Sequence, residues 1–139
     1  MKLDSLHELI IECIEKTNKP IFLTGKAGTG KTTFLRYIRS ITKKSLAVAP
    51  TAVAAINAGG VTIHSFFQIP FGPIPPMLLS NAFEEFSGKN FGIEKAKLIK
   101  CLDLLIIDEI SMVRADTIDY IDRVLRFIKG NSRPFGGVQ

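Results

Sequence analysis

A glycine-rich loop between an apolar run and an amphipathic segment constrains the fold of this chain more than any other feature. The loop covers residues 25–33 and matches the pattern G-x-x-x-x-G-K-[ST] at every fixed position. The apolar run at residues 21–24 predicts a short buried strand, and residues 31 to about 42 predict a helix with recurring apolar positions. Strand, loop and helix in this order are typical of a phosphate-binding loop.

The loop has the composition that anion binding requires. Glycines let successive backbone N–H groups point into one concavity, and the helix that follows adds unpaired N–H groups and the positive end of its dipole. Lys31 is predicted to contact the β- and γ-phosphates, and the Thr32 hydroxyl to bind Mg²⁺. The predicted nucleotide-binding residues are Gly25, Lys26, Ala27, Gly28, Thr29, Gly30, Lys31, Thr32 and Thr33. A chance glycine loop is the alternative interpretation, and the strand–loop–helix context argues against it.

The composition predicts one globular domain. The hydrophobic fraction of 46% suffices for a core, and 139 residues are too few for two ordinary domains. Acidic residues near the start argue against a secretory signal, and no apolar run is long enough for a membrane span. Cys13 and Cys101 lie far apart, which predicts reduced thiols packed as small hydrophobes in a cytoplasmic protein.

The positive charge is concentrated in one part of the chain. The net charge is +5, yet residues 17–83 contain no Asp or Glu. A polyanionic partner would explain this distribution. The alternative is that one or two cations bind the nucleotide and the others solvate a helix face. The basic residues of the stretch are Lys19, Lys26, Lys31, Arg36, Arg39, Lys43 and Lys44.

The remaining pattern predicts helices that alternate with short apolar strands. Ser5 and Glu8 resemble a capping box for the first helix, Thr51 can cap a brief helix, and Gly130 is suited to end the last one. Residues 61–67 are mixed, residues 69–76 read as a loop, and no structure is assigned from there to residue 90. The alternation indicates an α/β fold with a mainly parallel sheet. Helices are predicted at residues 3–16, 52–58, 93–101 and 114–129, and strands at 46–49 and 104–107.

Two carboxylates follow the most apolar strand candidate. Residues 104–107 lack alternation, which predicts burial on both faces of a parallel sheet, and Asp108 and Glu109 come directly after them. Because parallel strands end at one edge of a sheet, Asp108 can face the loop and hold Mg²⁺. Glu109 is placed to orient and deprotonate an attacking water. Together with Lys31 and Asp108, it completes the set of predicted catalytic residues. Acids at a strand end before a helix are the alternative reading of this pair.

Three blocks of the chain resemble the Pif-type (petite integration frequency) DNA helicases of superfamily 1, relatives of the RecD helicases. They are FLTGKAGTGKT at residues 22–32, APTAVAA at 49–55 continuing through GGVTIHSFF at 59–67, and LIIDEISMV at 105–113. The run RPFGGVQ at 133–139 is similar to the segment before the next motif of the family. The resemblance implies a three-layer P-loop (RecA-like) fold, with ATP and Mg²⁺ as cofactors, and 5′→3′ helicase activity on single-stranded DNA or a forked duplex.

The middle block carries the implied DNA contacts. By the resemblance, Thr51, His64, Ser65 and Phe66 lie along single-stranded DNA. Hydroxyls and a helix start suit phosphate, and an aromatic ring suits base stacking. Two other interpretations stay open: Phe66 and Phe67 are more often core residues than stacking platforms, and a lone histidine such as His64 is more often structural.

The chain departs from the family in two respects. An adenine-reading glutamine is expected before the loop, but the glutamines here are Gln68 and Gln139. The next motif and the second RecA-like domain are not in these residues, so residues 1–139 are expected to be a truncated, incomplete RecA-like domain that lacks this partner domain. A nucleotide- or DNA-binding module without turnover is therefore an alternative. A second alternative is another class of P-loop protein, and residues 64–66 argue against it.

Overall fold

A three-stranded parallel sheet lies at the centre of the chain. The computed structural model describes residues 4–42, 44–76 and 92–139. The strands are β1 (Ser45–Ala49), β2 (Val61–Thr62) and β3 (Leu104–Ile107), in the order β2-β1-β3. Val48 of β1 pairs with Val61 on one side and with Ile107 on the other. The predicted α/β fold with a parallel sheet is confirmed.

Helices flank this sheet close to their predicted positions. Residues 61–67, which had a mixed pattern, form β2 and then a short helix. The sequence to residue 90, for which no structure is predicted, lies outside the described residues from residue 77 onward. Within the described ranges, no helix has the length and apolar character needed to cross a membrane. The helices are α1 (Ser5–Lys16), α2 (Lys31–Ile41), α3 (Ala52–Asn57), α4 (Ile63–Phe67), α5 (Ile93–Cys101) and α6 (Ala115–Lys129), with 3₁₀ turns at Ile110–Met112 and Pro134–Gly137.

Apolar side chains cover both faces of the sheet. Leu104 and Ile106 of β3 are buried with Phe34 of α2, and α1 packs partly against this cluster. Leu105 and Ile107 face the other side, where α4, α5 and α6 form the larger core. The three layers and the two-sided burial of β3 agree with the prediction from its continuous apolar run.

Residues 21–24 do not form the predicted strand, and that prediction is wrong. Ile21 is 41% exposed and Phe22 is 76% exposed. An apolar run becomes a buried strand only where a neighbour supplies partners for its backbone N–H and C=O groups. No strand pairing is found for this segment within the described part of the chain.

Gln139 forms backbone hydrogen bonds beside the start of β3. Its backbone N–H donates to the Asp103 carbonyl at 3.0 Å, and its carbonyl accepts from the Leu105 N–H at 2.8 Å. Its side-chain amide donates to the Lys19 carbonyl at 2.9 Å. Gln139 therefore lies between β3 and the segment that leads into the glycine-rich loop.

The start of α1 and the packing of one cysteine also differ from prediction. The N-cap is Asp4 and not Ser5: the Asp4 carboxylate accepts from the His7 N–H at 3.0 Å, and His7 Nδ1 accepts from the Asp4 N–H at 3.3 Å. His7 also contacts the ring of Phe34, so tertiary packing favours this cap. Both cysteines are free thiols, but Cys101 is exposed rather than packed in the core.

Gly60 allows β1 and β2 to approach each other. A Cβ atom at Gly60 would lie 2.0 Å from the Ala47 carbonyl oxygen, a main-chain atom of β1. We expect Gly60→Ala to lower the free energy of unfolding by about 1–3 kcal/mol or more, because β1 and β2 must move apart to make room for the added methyl group. Urea unfolding measures this change, and Gly92→Ala, where nothing lies within 4 Å of the added atom, is the matched control. Equal midpoints for the two variants would contradict the packing described here.

Asp116 ties the loop of residues 69–76 to the first turn of α6. Its carboxylate accepts from the Ile74 N–H at 3.2 Å and from Nε of Arg114 at 3.0 Å. The hydrogen bond from Arg114 lowers the pKa of Asp116 from 3.8 to about 2. The loop therefore depends on a charged carboxylate.

The stability of the chain should depend on pH through Asp116. Because the folded state has the lower pKa, this stabilisation is fully present above about pH 4 and is lost as the pH falls towards about 2. We expect Asp116→Asn to flatten the pH dependence of thermal unfolding in this window. Asp119→Asn, an exposed position on the same helix, should keep the wild-type profile. Two identical profiles would exclude Asp116 as the titrating group.

Candidate functional site

The glycine-rich loop is exposed and leads directly into α2. Gly28 and Gly30 have φ values of +77° and +84°, a conformation that residues with a Cβ atom rarely adopt. A Cβ atom at either glycine would have nothing within 4 Å, so backbone conformation and not space requires glycine here. Lys31 Nζ donates to the carbonyls of Gly25 at 2.8 Å and Lys26 at 2.9 Å. The lysine that is predicted to contact phosphate thus lies along its own loop.

Thr32 joins this loop to the end of β3. Its hydroxyl donates to Oδ2 of Asp108 at 2.9 Å, across 76 positions of sequence. Asp108 is 8% exposed, and its backbone N–H donates to the Val48 carbonyl of β1 at 2.9 Å. The two predicted metal ligands are therefore in contact, as the rule for parallel strand ends predicts.

Glu109 follows Asp108 in a left-handed backbone conformation. Its φ is +53° and its ψ is +43°, which costs a residue with a side chain about 1–3 kcal/mol. Its N–H donates to Oδ1 of Asp108 at 2.9 Å. This turn ends β3 and leaves Glu109 exposed while Asp108 is buried, so the two neighbouring carboxylates have different surroundings.

The donors at this point fit a magnesium ion. Thr32 and Asp108 provide a hydroxyl and a carboxylate oxygen, and Mg²⁺ prefers oxygen ligands, with water and phosphate completing its shell. No group of three or more His, Cys, Asp or Glu side chains suited to a metal occurs among the described residues. The arrangement fits an ion shared with a phosphate ligand better than an ion enclosed by protein.

The predicted DNA residues follow β1 and β2 at the same edge of the sheet. Thr51 caps α3 and its hydroxyl accepts from the Ala54 N–H at 3.2 Å. His64 and Ser65 lie in α4, directly after β2, and Ser65 is exposed. His64, Thr51 and Asp108 thus follow three neighbouring strands, in the sheet order β2-β1-β3.

Phe66 belongs to the core. It is 8% exposed, packs edge-to-face on Phe67 with ring centroids 5.0 Å apart, and has Lys95 Nζ 5.9 Å from its ring. Its burial favours the core interpretation over base stacking. The exposed ring in this region is Phe71, which stacks on His64. No sequence pattern singles out Phe71, because exposure depends on where the loop runs.

The basic residues do not all gather at this edge. Arg36 and Arg39 line a cleft of about 370 Å³ with Ser45 and Gly59. Ser45 begins β1, so the cleft lies at the amino-terminal edge of the sheet, away from Asp108. Lys44 forms an ion pair with Asp103, with 3.7 Å between Nζ and Oδ2. The charge of the stretch is therefore divided between the two edges.

The fold and the contact between loop and carboxylate define a P-loop nucleotide-binding domain of the RecA-like type. A comparison with protein families matches residues 3–139 to the family described as PIF1-like helicase. The chain belongs to the PIF1-like helicase family, as its three sequence blocks predict.

Individual relatives agree with this assignment. The chain is 34% identical to the ATP-dependent DNA helicase PIF1 of Emericella nidulans over an alignment 139 positions long, which covers 94% of this chain and 18% of that protein. It is 48% identical to the solved structure of Bacteroides sp. Pif1 in complex with ADP-AlF4, with a TM-score of 0.86, over 100% of this chain and 31% of that one. A Bacteroides Pif1 structure with ADP-AlF3 and single-stranded DNA gives 49% identity and a TM-score of 0.87, over 100% of this chain and 31% of that one. The chain thus spans less than a third of these relatives.

Proposed function

We propose that these residues form the ATP-binding part of a 5′→3′ DNA helicase that couples Mg²⁺-dependent ATP hydrolysis to movement on single-stranded DNA and to duplex unwinding. The hydrogen bond between Thr32 and Asp108 carries this proposal, because it brings the phosphate loop and the carboxylates after β3 to one place. A glycine-rich loop alone favours nucleotide binding. A neighbouring pair of carboxylates, one buried and one exposed, favours hydrolysis.

The side chains would have separate roles in this reaction. Lys31 would exchange its contacts with the Gly25 and Lys26 carbonyls for phosphate oxygens of ATP. Thr32 and Asp108 would hold Mg²⁺, whose charge offsets that of the phosphates. Glu109 would orient the attacking water and accept its proton, a role that suits a carboxylate beside the metal and not bound to it.

Single-stranded DNA or a forked duplex is the proposed partner. The support is the family, the solved complex of Bacteroides Pif1 with single-stranded DNA, and the acid-free basic stretch of residues 17–83. Thr51, His64 and Ser65 lie at the same sheet edge as Asp108, so DNA and nucleotide would bind side by side. The 5′→3′ polarity is proposed from the family resemblance.

We propose that unwinding also needs the second RecA-like domain of the parent protein. In P-loop enzymes an arginine supplied to the nucleotide cleft is worth about 10³–10⁵ in rate. These residues by themselves are therefore proposed to bind nucleotide and to hydrolyse it slowly.

ATP hydrolysis by the polypeptide that carries these residues tests the function. With Mg²⁺ present, we expect single-stranded DNA to stimulate hydrolysis and a forked duplex to be unwound, and rising salt to weaken both. Hydrolysis without stimulation by DNA would favour another class of P-loop protein. Nucleotide binding without any turnover would favour a binding module.

A further inference from the structure

Phe71 is the most exposed large apolar side chain among the described residues. It is 96% exposed, while Ile69 and Ile74 on either side of it are 5% and 6% exposed. The ring of His64 lies nearly parallel to it, with an interplanar angle of 13° and ring centroids 5.7 Å apart. The chain therefore presents an aromatic ring to solvent with a second ring beside it.

The loop that carries Phe71 is anchored at both ends. On one side, Gln68 adopts a left-handed conformation and the Ile69 N–H donates to the His64 carbonyl at 3.1 Å. On the other side, the Ile74 N–H donates to the Asp116 carboxylate at 3.2 Å. These contacts hold the backbone around an apolar ring that the core does not take up. Such a fixed ring can bind a ligand with little loss of conformational freedom.

The position of the pair suits a nucleic acid. His64 lies in α4, which follows the carboxyl end of β2, at the edge that holds Thr51 and Asp108. Lys95 Nζ donates to the Ser65 carbonyl at 2.9 Å, which places an ammonium group beside α4. Two stacked rings, in a stretch of sequence without acidic residues and beside a helix that a lysine contacts, favour an anionic ligand that carries flat rings.

We propose that Phe71 is a stacking platform for an unpaired nucleobase of single-stranded DNA, with His64 supporting its ring. This proposal rests on the DNA-binding function proposed above and assigns one base contact within it. Stacking accepts any base, because every base has a π-face, so the platform would add affinity without sequence preference. It replaces Phe66 as the aromatic contact, because the ring of Phe66 is buried.

Binding of two oligonucleotides tests the platform: a single-stranded oligothymidylate and an abasic strand of equal length. Alanine replacement of a stacking ring is expected to weaken binding about 5- to 150-fold. We expect Phe71→Ala to lose this much affinity for the first strand and little for the abasic one, and Phe71→Trp to keep wild-type affinity. Leu6→Ala, another exposed apolar position (58%), on α1, is the matched control. A strand with a 2-aminopurine should show fluorescence quenching by wild type and not by Phe71→Ala.

The outcomes separate the platform from DNA binding itself. If wild type binds both strands equally well and does not quench 2-aminopurine, the platform is excluded and DNA binding stands. If wild type binds neither strand, the DNA-binding function fails and the platform with it. An unchanged slope of affinity against salt in Phe71→Ala would support loss of stacking rather than loss of phosphate contacts.

Discussion

Replacing Glu109 with glutamine is expected to slow ATP hydrolysis about 10²- to 10⁴-fold and to leave nucleotide affinity nearly unchanged. Glutamine has almost the size of glutamate and can keep the left-handed backbone, but it cannot accept a proton from water at neutral pH. Glu109 is exposed and its backbone N–H, not its side chain, contacts Asp108. The replacement should therefore remove the base and preserve the buried carboxylate.

Single-turnover hydrolysis at saturating Mg²⁺ and single-stranded DNA, together with titration of a fluorescent nucleotide, measures the two effects separately. Glu15→Gln, an exposed position near the end of α1, is the matched control and should hydrolyse ATP at the wild-type rate. Unchanged hydrolysis in Glu109→Gln would assign the base to another residue. A parallel loss of nucleotide affinity would mean that Glu109 helps to hold the nucleotide.

Replacing Lys31 with alanine is expected to weaken nucleotide binding by about 10- to 150-fold, the range for one hydrogen bond to a charged group. The change removes the cation proposed to contact phosphate. It also removes the contacts of Nζ with the Gly25 and Lys26 carbonyls, which help to shape the loop. The expected loss therefore combines charge and loop conformation.

Titration of a fluorescent nucleotide measures this loss, and amide hydrogen exchange across residues 25–30 separates its two causes. Faster exchange would assign part of the loss to opening of the loop. Lys19→Ala, an exposed lysine before the loop, is the matched control with the same change in charge. Equal affinities of wild type and Lys31→Ala would remove the glycine-rich loop from the proposed function.

The parts of the site that could be predicted from sequence are those set by fixed spacing or by topology. The loop must have glycine where φ is positive, so Gly28 and Gly30 are visible in the sequence pattern. Asp108 could be placed opposite Thr32 because parallel strands end at one edge, whatever their separation in sequence. The role proposed for Glu109 follows from its position directly after Asp108 in the sequence.

The predictions that failed depend on partners that a local pattern does not contain. Residues 21–24 have the composition of a buried strand, but no strand among the described residues pairs with them. The cap of α1 moved to Asp4 because His7 packs on Phe34. In each case the result depends on contacts, present or missing, with residues distant in sequence.

The aromatic residues after β2 show the same limit. Phe66 lies between Ser65 and Phe67 in α4, and Phe71 lies between Pro70 and Gly72 in the loop that follows. The packing of α4 into the core buries the ring of Phe66, while the path of the loop exposes the ring of Phe71. A stacking residue can be chosen between them once exposure is known.

The contact between Thr32 and Asp108 also has a consequence for how the chain folds. It joins residues 76 positions apart, and the amide of Gln139 reaches Lys19 across 120 positions. Contacts of this separation carry a large loop-closure entropy and are expected to form after local ones. The turn at Pro134–Gly137, by contrast, packs on the preceding helix α6 within a short stretch of chain. The nucleotide site should therefore be among the last parts of the molecule to assemble, and among the first to open when the sheet is weakened.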